Sequence, residues 1–332
     1  MTIGGSANYK LSNYQITNFS MSFHCGFACI LGRPNAGKST LLNALVGQKL
    51  AIVSPKPQTT RNRILGIVQI PKQKKRPGAQ IVLIDTPGVH KPDSSLGKKM
   101  MAEVREALEG CDLLLLIVDA TQKFGQGDQF TLEMAKRTGT PVFLLLNKID
   151  LVKQKDKLLP MIDEYRRLYE FKEIIPLSAK DGRGLDTLLE SVIENLPTGQ
   201  PYFPEEQVTD QPVRFMVAES IREQVLLATS EEVPHATTVI VEQFEEGAKL
   251  TRIAAAIYCE RDGQKRILVG KQGQMLKKIG TAARIQIEKM VGTKVYLELF
   301  VKVQPNWRES RAFIDELDWR RQLEDIAGPL KS

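Results

Sequence analysis

The short apolar run at residues 26–31 ends in Gly32-Arg33-Pro34-Asn35-Ala36-Gly37-Lys38-Ser39, and a helical pattern opens directly behind it, over 39–46. A strand that passes into a helix through such a turn opens an alternation of strands and helices, which points to a mainly parallel sheet. The unit then recurs. Apolar runs follow at 81–84, 113–118, 142–146 and 174–177, with helical patterns near 97–110, 128–138, 155–169 and 184–196 between them. Runs this continuous suit strands buried on both faces. The expected fold is α/β, with a mostly parallel six-stranded sheet and helices on both faces.

The polar residues behind each run lie at the carboxyl end of a strand, where open α/β sheets bind ligands. The spacing G-x-x-x-x-G-K-[ST] is that of a phosphate loop. Its glycines let successive backbone N–H groups close around a polyphosphate, and the helix adds the positive end of its dipole. Lys38 is expected to reach the β- and γ-phosphates, with Thr40 behind the loop, and the Ser39 hydroxyl to hold Mg²⁺. Asp85-Thr86-Pro87-Gly88 follows the run 81–84. Asp85 supplies a second, acidic Mg²⁺ contact, and the Gly88 N–H would bond the γ-phosphate through a peptide free to turn when that phosphate leaves. Asn147-Lys148-Ile149-Asp150 follows 142–146. Asp150 can accept hydrogen bonds from the ring N–H and the exocyclic amine of guanine. Adenine lacks that donor pair and would leave a buried carboxylate unpaired. Lys148 is expected over the base plane, Asn147 as a brace of the loop, and Ser178-Ala179-Lys180 as backbone donors to the guanine oxygen. In this order the motifs predict a chain that binds GTP and changes shape on hydrolysing it.

Residues 197–212 carry four prolines and read as a linker. Beyond it the periodicity changes. Residues 213–229 read as helix, 236–246 and 250–260 as strands, then a basic loop and a helix to about 291. In the last strand Val295, Leu297, Leu299, Val301 and Val303 alternate with Tyr296, Glu298, Phe300 and Lys302, so one face is buried. The expected organisation is an N-terminal extension at 1–23 (with Met21 as an alternative start), a nucleotide domain at 24–196, the linker at 197–212, a smaller α+β domain at 213–305, and a charged, partly helical tail at 306–332.

The net charge of +7 hints at an anionic partner, and its placement says more than its size. From residue 213 to the end, 19 basic side chains stand against 17 acidic, yet residues 264–294 hold eight Lys or Arg and one acid, Glu288. Inside that segment lies Gly270-Lys271-Gln272-Gly273. In KH domains a G-x-x-G loop lets the backbone close on single-stranded nucleotides, and lysine neutralises their phosphates. Gly270, Lys271, Gln272, Gly273, Lys277 and Lys278 are therefore the candidate RNA contacts, with Ile267, Leu268, Val269 and Ile279 as an apolar floor for the bases. A second run, 49–76, holds Lys49, Lys56, Arg61, Arg63, Lys72, Lys74, Lys75 and Arg76 and no acid. It reads as a solvated hairpin or as a face that meets RNA or ribosomal protein in the GTP state. No secretory signal is evident, and the longest apolar run, 113–118, is too short to span a bilayer. Cys25, Cys29, Cys111 and Cys259 form no C-x-x-C pair and read as small buried hydrophobes in a reducing compartment. An RNA-modifying enzyme driven by GTP would need a further cluster of His, Cys or paired acids, and a membrane-signalling GTPase a lipid motif at a terminus. Neither is found.

Residues 24–196 resemble the Ras-like translation-factor class of P-loop GTPases. The resemblance places the Mg²⁺-binding threonine within Gln58-Thr59-Thr60-Arg61, at Thr60 with Thr59 as the alternative, and gives catalytic roles to Lys38, Thr60 and Gly88. Ras has a water-orienting glutamine after D-x-x-G. Here that position is Val89, as in a subgroup with a hydrophobic residue there, so slow intrinsic hydrolysis is expected. Members of that subgroup often carry an asparagine at the position of Asn35, and in several a bound K⁺ replaces the charge of an arginine finger. With a KH-like domain of type II behind a short linker, the whole chain resembles the Era family of bacterial GTPases. Gln58-Thr59-Thr60-Arg61, Asp85-Thr86-Pro87-Gly88-Val89-His90 and Tyr296-Leu297-Glu298-Leu299-Phe300-Val301-Lys302-Val303 carry the likeness. It implies GTP/GDP and Mg²⁺ as cofactors, binding near the 3′ end of 16S ribosomal RNA, and a role in 30S subunit biogenesis. It further implies a cytoplasmic monomer with peripheral association with the inner face of the cell membrane. The segments 1–23 and 306–332 are those least tied to the resemblance.

Overall fold

The computed structural model describes residues 23–318, apart from residues 57, 74, 75, 90, 91, 93 and 231. The first half contains β1 (His24–Leu31), α1 (Lys38–Val46), β2 (Ile64–Ile70), β3 (Ala79–Asp85), α2 (Ser95–Glu109), β4 (Leu113–Asp119), α3 (Gln126–Lys136), β5 (Val142–Asn147), α4 (Leu158–Leu168), β6 (Glu173–Pro176) and α5 (Leu185–Asn195). The strands lie in the order β2-β3-β1-β4-β5-β6, and all neighbours are parallel except β2 and β3. The apolar runs mark five of these strands. The sixth, β2, is hidden in the basic stretch 49–76, where flanking cations mask seven residues of strand.

Both faces of the sheet are covered, which is why β4 is apolar throughout. Leu113, Leu115 and Ile117 pack with Leu41, Leu42 and Leu45 of α1 and with Leu188, Val192 and Ile193 of α5. Leu114, Leu116 and Val118 point the other way, onto Val104, Ala107 and Leu108 of α2, Leu132 of α3 and Tyr165 of α4. Each buried leucine of this kind contributes about 1.5–3 kcal/mol of transfer free energy.

The segment 197–212 is not a free tether. Gln80 on β3 is fully buried, and its side chain accepts from the N–H of Tyr202 (2.7 Å) and Phe203 (3.0 Å) and donates to the Phe203 carbonyl (2.8 Å). Farther along, the Ile67 N–H donates to the Val208 carbonyl (2.9 Å) and the Thr209 hydroxyl to the Leu65 carbonyl (2.6 Å). The strap thereby covers the edge strand β2.

The second half contains α6 (Val213–Ala228), β7 (Thr238–Glu245), β8 (Leu250–Cys259), α7 (Asp262–Val269), α8 (Gln274–Val291), β9 (Lys294–Val303) and α9 (Arg311–Glu316). β7 is antiparallel to β8, and β8 is parallel to β9. Val217, Ile221 and Val225 of α6 pack with Ile253, Ala255 and Ile257 of β8 and with Ile279, Ala283 and Ile287 of α8. The expected basic loop behind β8 is mostly helix α7. Gln264 starts it by accepting from the N–H groups of Glu260 (2.9 Å) and Arg261 (3.1 Å). The beginning of the charged tail is also ordered. Trp307 is fully buried, donates its indole N–H to the Ala236 carbonyl (2.9 Å), and packs with Phe313, Ile314 and, from α2, Leu96 and Met100. Cys25, Cys29 and Cys259 are buried and Cys111 half-buried, all as free thiols. Among the described residues no helix is long and apolar enough to cross a membrane.

Candidate functional site

The loop behind β1 and the segment 52–60 enclose a cavity of about 270 Å³. One wall is Pro34, Asn35, Gly37, Lys38, Ser39 and Thr40, the other runs from Ile52 to Pro55 and from Gln58 to Thr60, and Gly88 and Lys148 close the ends. Asn35 (φ 63°) and Gly37 (φ 106°) turn the backbone into the left-handed region, which gathers N–H groups on the concave side. A Cβ on Gly37 would lie 2.2 Å from Nδ2 of Asn147, so no other residue fits. Lys38 is buried, and its ammonium donates to the carbonyls of Gly32 (2.9 Å) and Arg33 (3.1 Å), which aim it along the loop. Burial pushes its pKa down to about 8, against the pull of Asp85.

Ser39, Thr60 and Asp85 come from three separate elements and meet at one point. The Ser39 hydroxyl is 2.7 Å from Oδ2 of Asp85 and 2.8 Å from Oγ1 of Thr60, and Thr60 donates to the same carboxylate oxygen (3.3 Å). Oδ1 of Asp85 is buried with no protein partner. Burial pushes the carboxyl up to about 6, although Lys38 and the two hydroxyls pull it down. Three hard oxygens with an orphaned carboxylate atom, beside a phosphate cradle, are a donor set that fits Mg²⁺. The alternative Thr59 turns away, its hydroxyl bonded to the Lys56 carbonyl (2.6 Å).

Gly88 lies against the loop: a Cβ there would be 3.0 Å from Cα and Cγ of Pro34. Other predicted contacts turn their side chains away from the cavity. Thr86 donates to the Ile30 carbonyl (2.7 Å), Val89 is buried in the core on the α2 side, and Arg33 pairs with Asp128 of α3 (3.2 Å). Pro87 is buried, and Thr40 is half-buried in the first turn of α1.

At the base end, Asn147 ties three loops together. Its Nδ2 donates to the Ala36 carbonyl (2.8 Å) and its Oδ1 accepts from the Ala179 N–H (2.9 Å). Ala179 therefore has its amide engaged with Asn147, while exposed Lys180 follows in the same turn. Ser178 donates to Oδ1 of Asp150 (2.8 Å), orienting that carboxylate, and the Ile149 N–H donates to the Leu177 carbonyl (3.3 Å). Lys148 has φ 65° and pairs with Asp119 at the end of β4 (2.7 Å). Asp119 is a site residue that the motif reading misses. Its signal is an acid at the carboxyl end of a fully apolar strand, the same position as Asp85.

Part of the basic stretch 49–76 is tied into the fold. Arg61 is buried, donating to the carbonyls of Thr237 (2.7 Å) and His235 (3.2 Å) over the Trp307 ring. Lys49 pairs with Glu223, Lys56 donates to the Thr229 carbonyl, and Arg63 pairs with Glu106 (3.2 Å). Arg61 is therefore not solvated, whereas the side chains of Lys49 and Arg63 stay 49% and 30% exposed. Arg61, Lys49 and Lys56 join the nucleotide domain to α6 and the segment behind it, and Arg63 pairs with α2 inside that domain. Lys74 and Lys75 lie outside the described residues. From the other side, Arg222 donates to the Thr59 carbonyl and Glu223 accepts from the Val53 N–H (3.0 Å). No sequence motif marks Arg222 or Glu223.

The G-x-x-G loop leads from α7 into α8. Gly270 has φ 72° and Gly273 φ 77°, and Lys271, Gln272, Lys277 and Lys278 are exposed. An open recess of about 600 Å³ is bounded by Asp262, Lys265, Arg266, Val269, Gly270 and Lys271. The expected apolar floor needs correction. Leu268 and Ile279 are 0% and 1% exposed and belong to the core, which leaves Ile267, at 48%, and Val269. In a one-turn-per-3.6-residue helix, consecutive residues cannot share a face.

The sequence pattern of the 50S ribosome-binding GTPase family matches residues 27–148, and that of the KH domain matches residues 232–308. The chain is 47% identical over 301 residues to GTPase Era of Ruminiclostridium cellulolyticum, covering 90% of this chain and 99% of that protein. Its fold is similar to a crystal structure of an Aquifex aeolicus Era variant bound to GDP and AlF4⁻, with a TM-score of 0.85, 39% identity, and coverage of 89% of this chain and 99% of that one. It is equally similar to Era in complex with MgGDPNP and nucleotides 1506–1542 of 16S ribosomal RNA, with a TM-score of 0.83, 38% identity, and coverage of 90% and 99%. The phosphate loop, the cluster of Ser39, Thr60 and Asp85 and the G-x-x-G turn stand in a chain whose likeness to these proteins runs nearly full length, and the chain belongs to the Era family of GTPases.

Proposed function

We propose that this chain is a GTP-driven switch whose KH domain grips single-stranded RNA at the 3′ end of 16S ribosomal RNA and which acts in assembly of the 30S subunit. The observation that carries the proposal is a short path of contacts. Asp85 meets Thr60, the Thr59 carbonyl next to it accepts from Arg222, and Arg222 belongs to α6, the first helix of the KH unit. GTP and Mg²⁺, when bound, supply the scissile phosphoanhydride and the charge that neutralises its phosphates. Lys38 and the N–H groups of residues 32–39 orient the phosphates. Ser39, Thr60 and Asp85 hold the metal side, and Asp150 with Ser178 selects guanine. Thr60 and Gly88 then report the γ-phosphate, and Thr59 and Arg61 pass the difference to the KH unit as a shift between two populations. The likeness to the Era–RNA complex supplies the RNA. The experiment is crosslinking to a 16S 3′-terminal RNA with the protein in its GDPNP and GDP forms, and Gly273→Asp as control. A Cβ on Gly273 meets nothing within 4 Å, so the variant clashes with nothing, although its φ of 77° strains any side chain; it places a negative charge where RNA phosphate would lie, and a circular dichroism melt checks that the KH unit stays folded. Crosslinks undiminished in the variant would remove the KH assignment.

Val89 is 1% exposed and cannot orient water, so intrinsic turnover is slow. Asn35 lines the cavity and donates to the Pro55 carbonyl (2.7 Å). That bond makes Asn35 a brace of its loop, and K⁺ as an activator, supplying positive charge beside the phosphates, rests on the family resemblance and on Val89 standing where a glutamine would orient water. GTPase rates measured in matched K⁺ and Na⁺ buffers test it, and equal rates reject it. Peripheral membrane association rests on the family resemblance alone, and flotation with vesicles of anionic lipid tests it.

A further inference from the structure

Asp119 belongs to none of the nucleotide motifs, yet both oxygens of its buried carboxylate are engaged. Oδ1 accepts from the N–H (2.9 Å) and the hydroxyl (2.6 Å) of Thr121, and Oδ2 accepts from the Lys148 ammonium (2.7 Å). The turn that carries it is bonded twice more. The Ala120 N–H donates to the Asn147 carbonyl (2.9 Å), and the Gln122 N–H to the Asp119 carbonyl (3.0 Å). Asp119 and Asn147 are register partners on β4 and β5. The carboxylate is thus fixed by its own strand end, and the lysine comes to it. Burial alone would raise the Asp119 pKa, but Lys148 and Thr121 outweigh it and hold the carboxyl below its usual range. Asp119 therefore carries its charge at neutral pH, and the pair is only partly open to water.

Lys148 leaves β5 with its backbone in the left-handed region, which a residue with a side chain seldom adopts. It also lines the nucleotide cavity. With its backbone set by the strand end and its ammonium by Asp119, the four-carbon stem between them has little freedom left. Such a stem is apolar although its head is charged. Held along the cavity wall, it offers a flat surface to a purine ring. Loose in solvent, it would lose its rotamer freedom only when the base arrived, and that loss would weaken binding. We propose that Asp119 is a positioning residue for the nucleotide base: by holding the ammonium, it presets the Lys148 stem as the platform on which the base lies. This role rests on Lys148 lying over the base plane, as its motif predicts. It acts on the face of the ring and not on its edge. It therefore adds affinity for guanine and hypoxanthine alike, and leaves the exocyclic amine to Asp150.

The test measures binding of GDP and of IDP, which lacks the exocyclic amine, to the full-length protein with Mg²⁺ by calorimetry. Asp119→Asn keeps an acceptor for Thr121 and loses the charge that holds Lys148. Its Kd is expected to rise about tenfold for GDP and for IDP alike, with the ratio between the two unchanged. Lys148→Met keeps an apolar stem and has no ammonium for Asp119 to hold. It should also bind GDP more weakly, and adding Asp119→Asn to it should change nothing further, because the pair is already gone. A further loss in the double variant, equal to that of Asp119→Asn alone, would mean that Asp119 serves the turn and not the lysine, and would overturn the positioning role. A changed ratio of GDP to IDP affinity in Asp119→Asn would overturn it too, by placing the effect on the base edge. GDP binding undiminished in Asp119→Asn but weakened in Lys148→Ala would overturn the positioning role and keep the base-plane role of Lys148. Binding undiminished in Lys148→Ala would overturn both.

Discussion

Asp150 accepts from the Ser178 hydroxyl at 2.8 Å. In the role proposed above its carboxylate would accept from the two N–H groups of guanine. Asp150→Asn would set an NH₂ against those donors. GTP affinity should fall at least about a hundredfold, because a polar mismatch in a closed site costs several kcal/mol. Xanthine carries an oxygen where guanine has its amine, so XTP should bind more tightly to the variant than GTP does. Competition binding with both nucleotides reads this directly. Asp85 sets a pH dependence. Burial holds it near 6 in the nucleotide-free protein, so below that pH its proton must leave before Mg²⁺ can bind. Apparent Mg²⁺ affinity should fall about tenfold per pH unit below 6 and be flat from 6 towards 8. A fluorescent-GDP titration at graded Mg²⁺ between pH 5 and 8 measures it, and a flat profile below 6 would show that the carboxyl is not a ligand.

The G-x-x-G loop separates two glycines that look alike in sequence. A Cβ on Gly270 would lie 2.7 Å from Cβ and 2.8 Å from N of Met275, whereas one on Gly273 meets open space. Both have positive φ, which costs an alanine on the order of 1 kcal/mol. Gly270→Ala should therefore unsettle the joint between α7 and α8 and lower the melting temperature of the KH unit, while Gly273→Ala, which bears the φ cost without the clash, should lower it less. Circular dichroism melts of the two variants distinguish them, and equal losses would mean that the loop is stiffer than its contacts suggest. Strand β2 teaches a similar lesson about elements. Its seven residues were not legible from composition, because cations that serve the joint with the KH unit surround it.

The two halves of the molecule are held by charged groups that turn inward: Lys49 to Glu223, Arg61 to the carbonyls of Thr237 and His235, Arg222 to the Thr59 carbonyl. Arg222→Ala would leave Glu219, half-buried in the joint, without its partner and release the Thr59 carbonyl. Removing one member of such a pair costs about 3–5 kcal/mol of stability. Nucleotide selectivity should survive, since Asp150 is untouched. If RNA on the KH unit speeds hydrolysis along the path proposed above, that stimulation should disappear in the variant, because the Thr59 carbonyl no longer meets α6. Single-turnover hydrolysis with and without the 16S 3′-terminal RNA measures the difference, and full stimulation in the variant would place the coupling elsewhere, with α2 and Trp307 the remaining contact.

Chemistry carried by contiguous residues was legible in the chain. A phosphate cradle is made by neighbours in sequence, so residues 32–39 announce it, and a strand buried on both faces announces itself as an apolar run. The residue types at 85–88, 147–150 and 270–273 are likewise dictated locally, by what a carboxylate, an amide or a glycine can do at the end of a strand or helix. Groups that meet only through folding were not legible. Asp119 beside Lys148, Arg61 over Trp307, and Arg222 on the Thr59 carbonyl are each separated by 29 residues or many more. Leu268 and Ile279 went to the core because a helix can turn only some of its apolar residues to one side. Sequence by itself determined what this protein binds, because binding motifs are local. Tertiary structure decided what the bound state touches, because a buried cation has no preferred partner until the fold places one within reach.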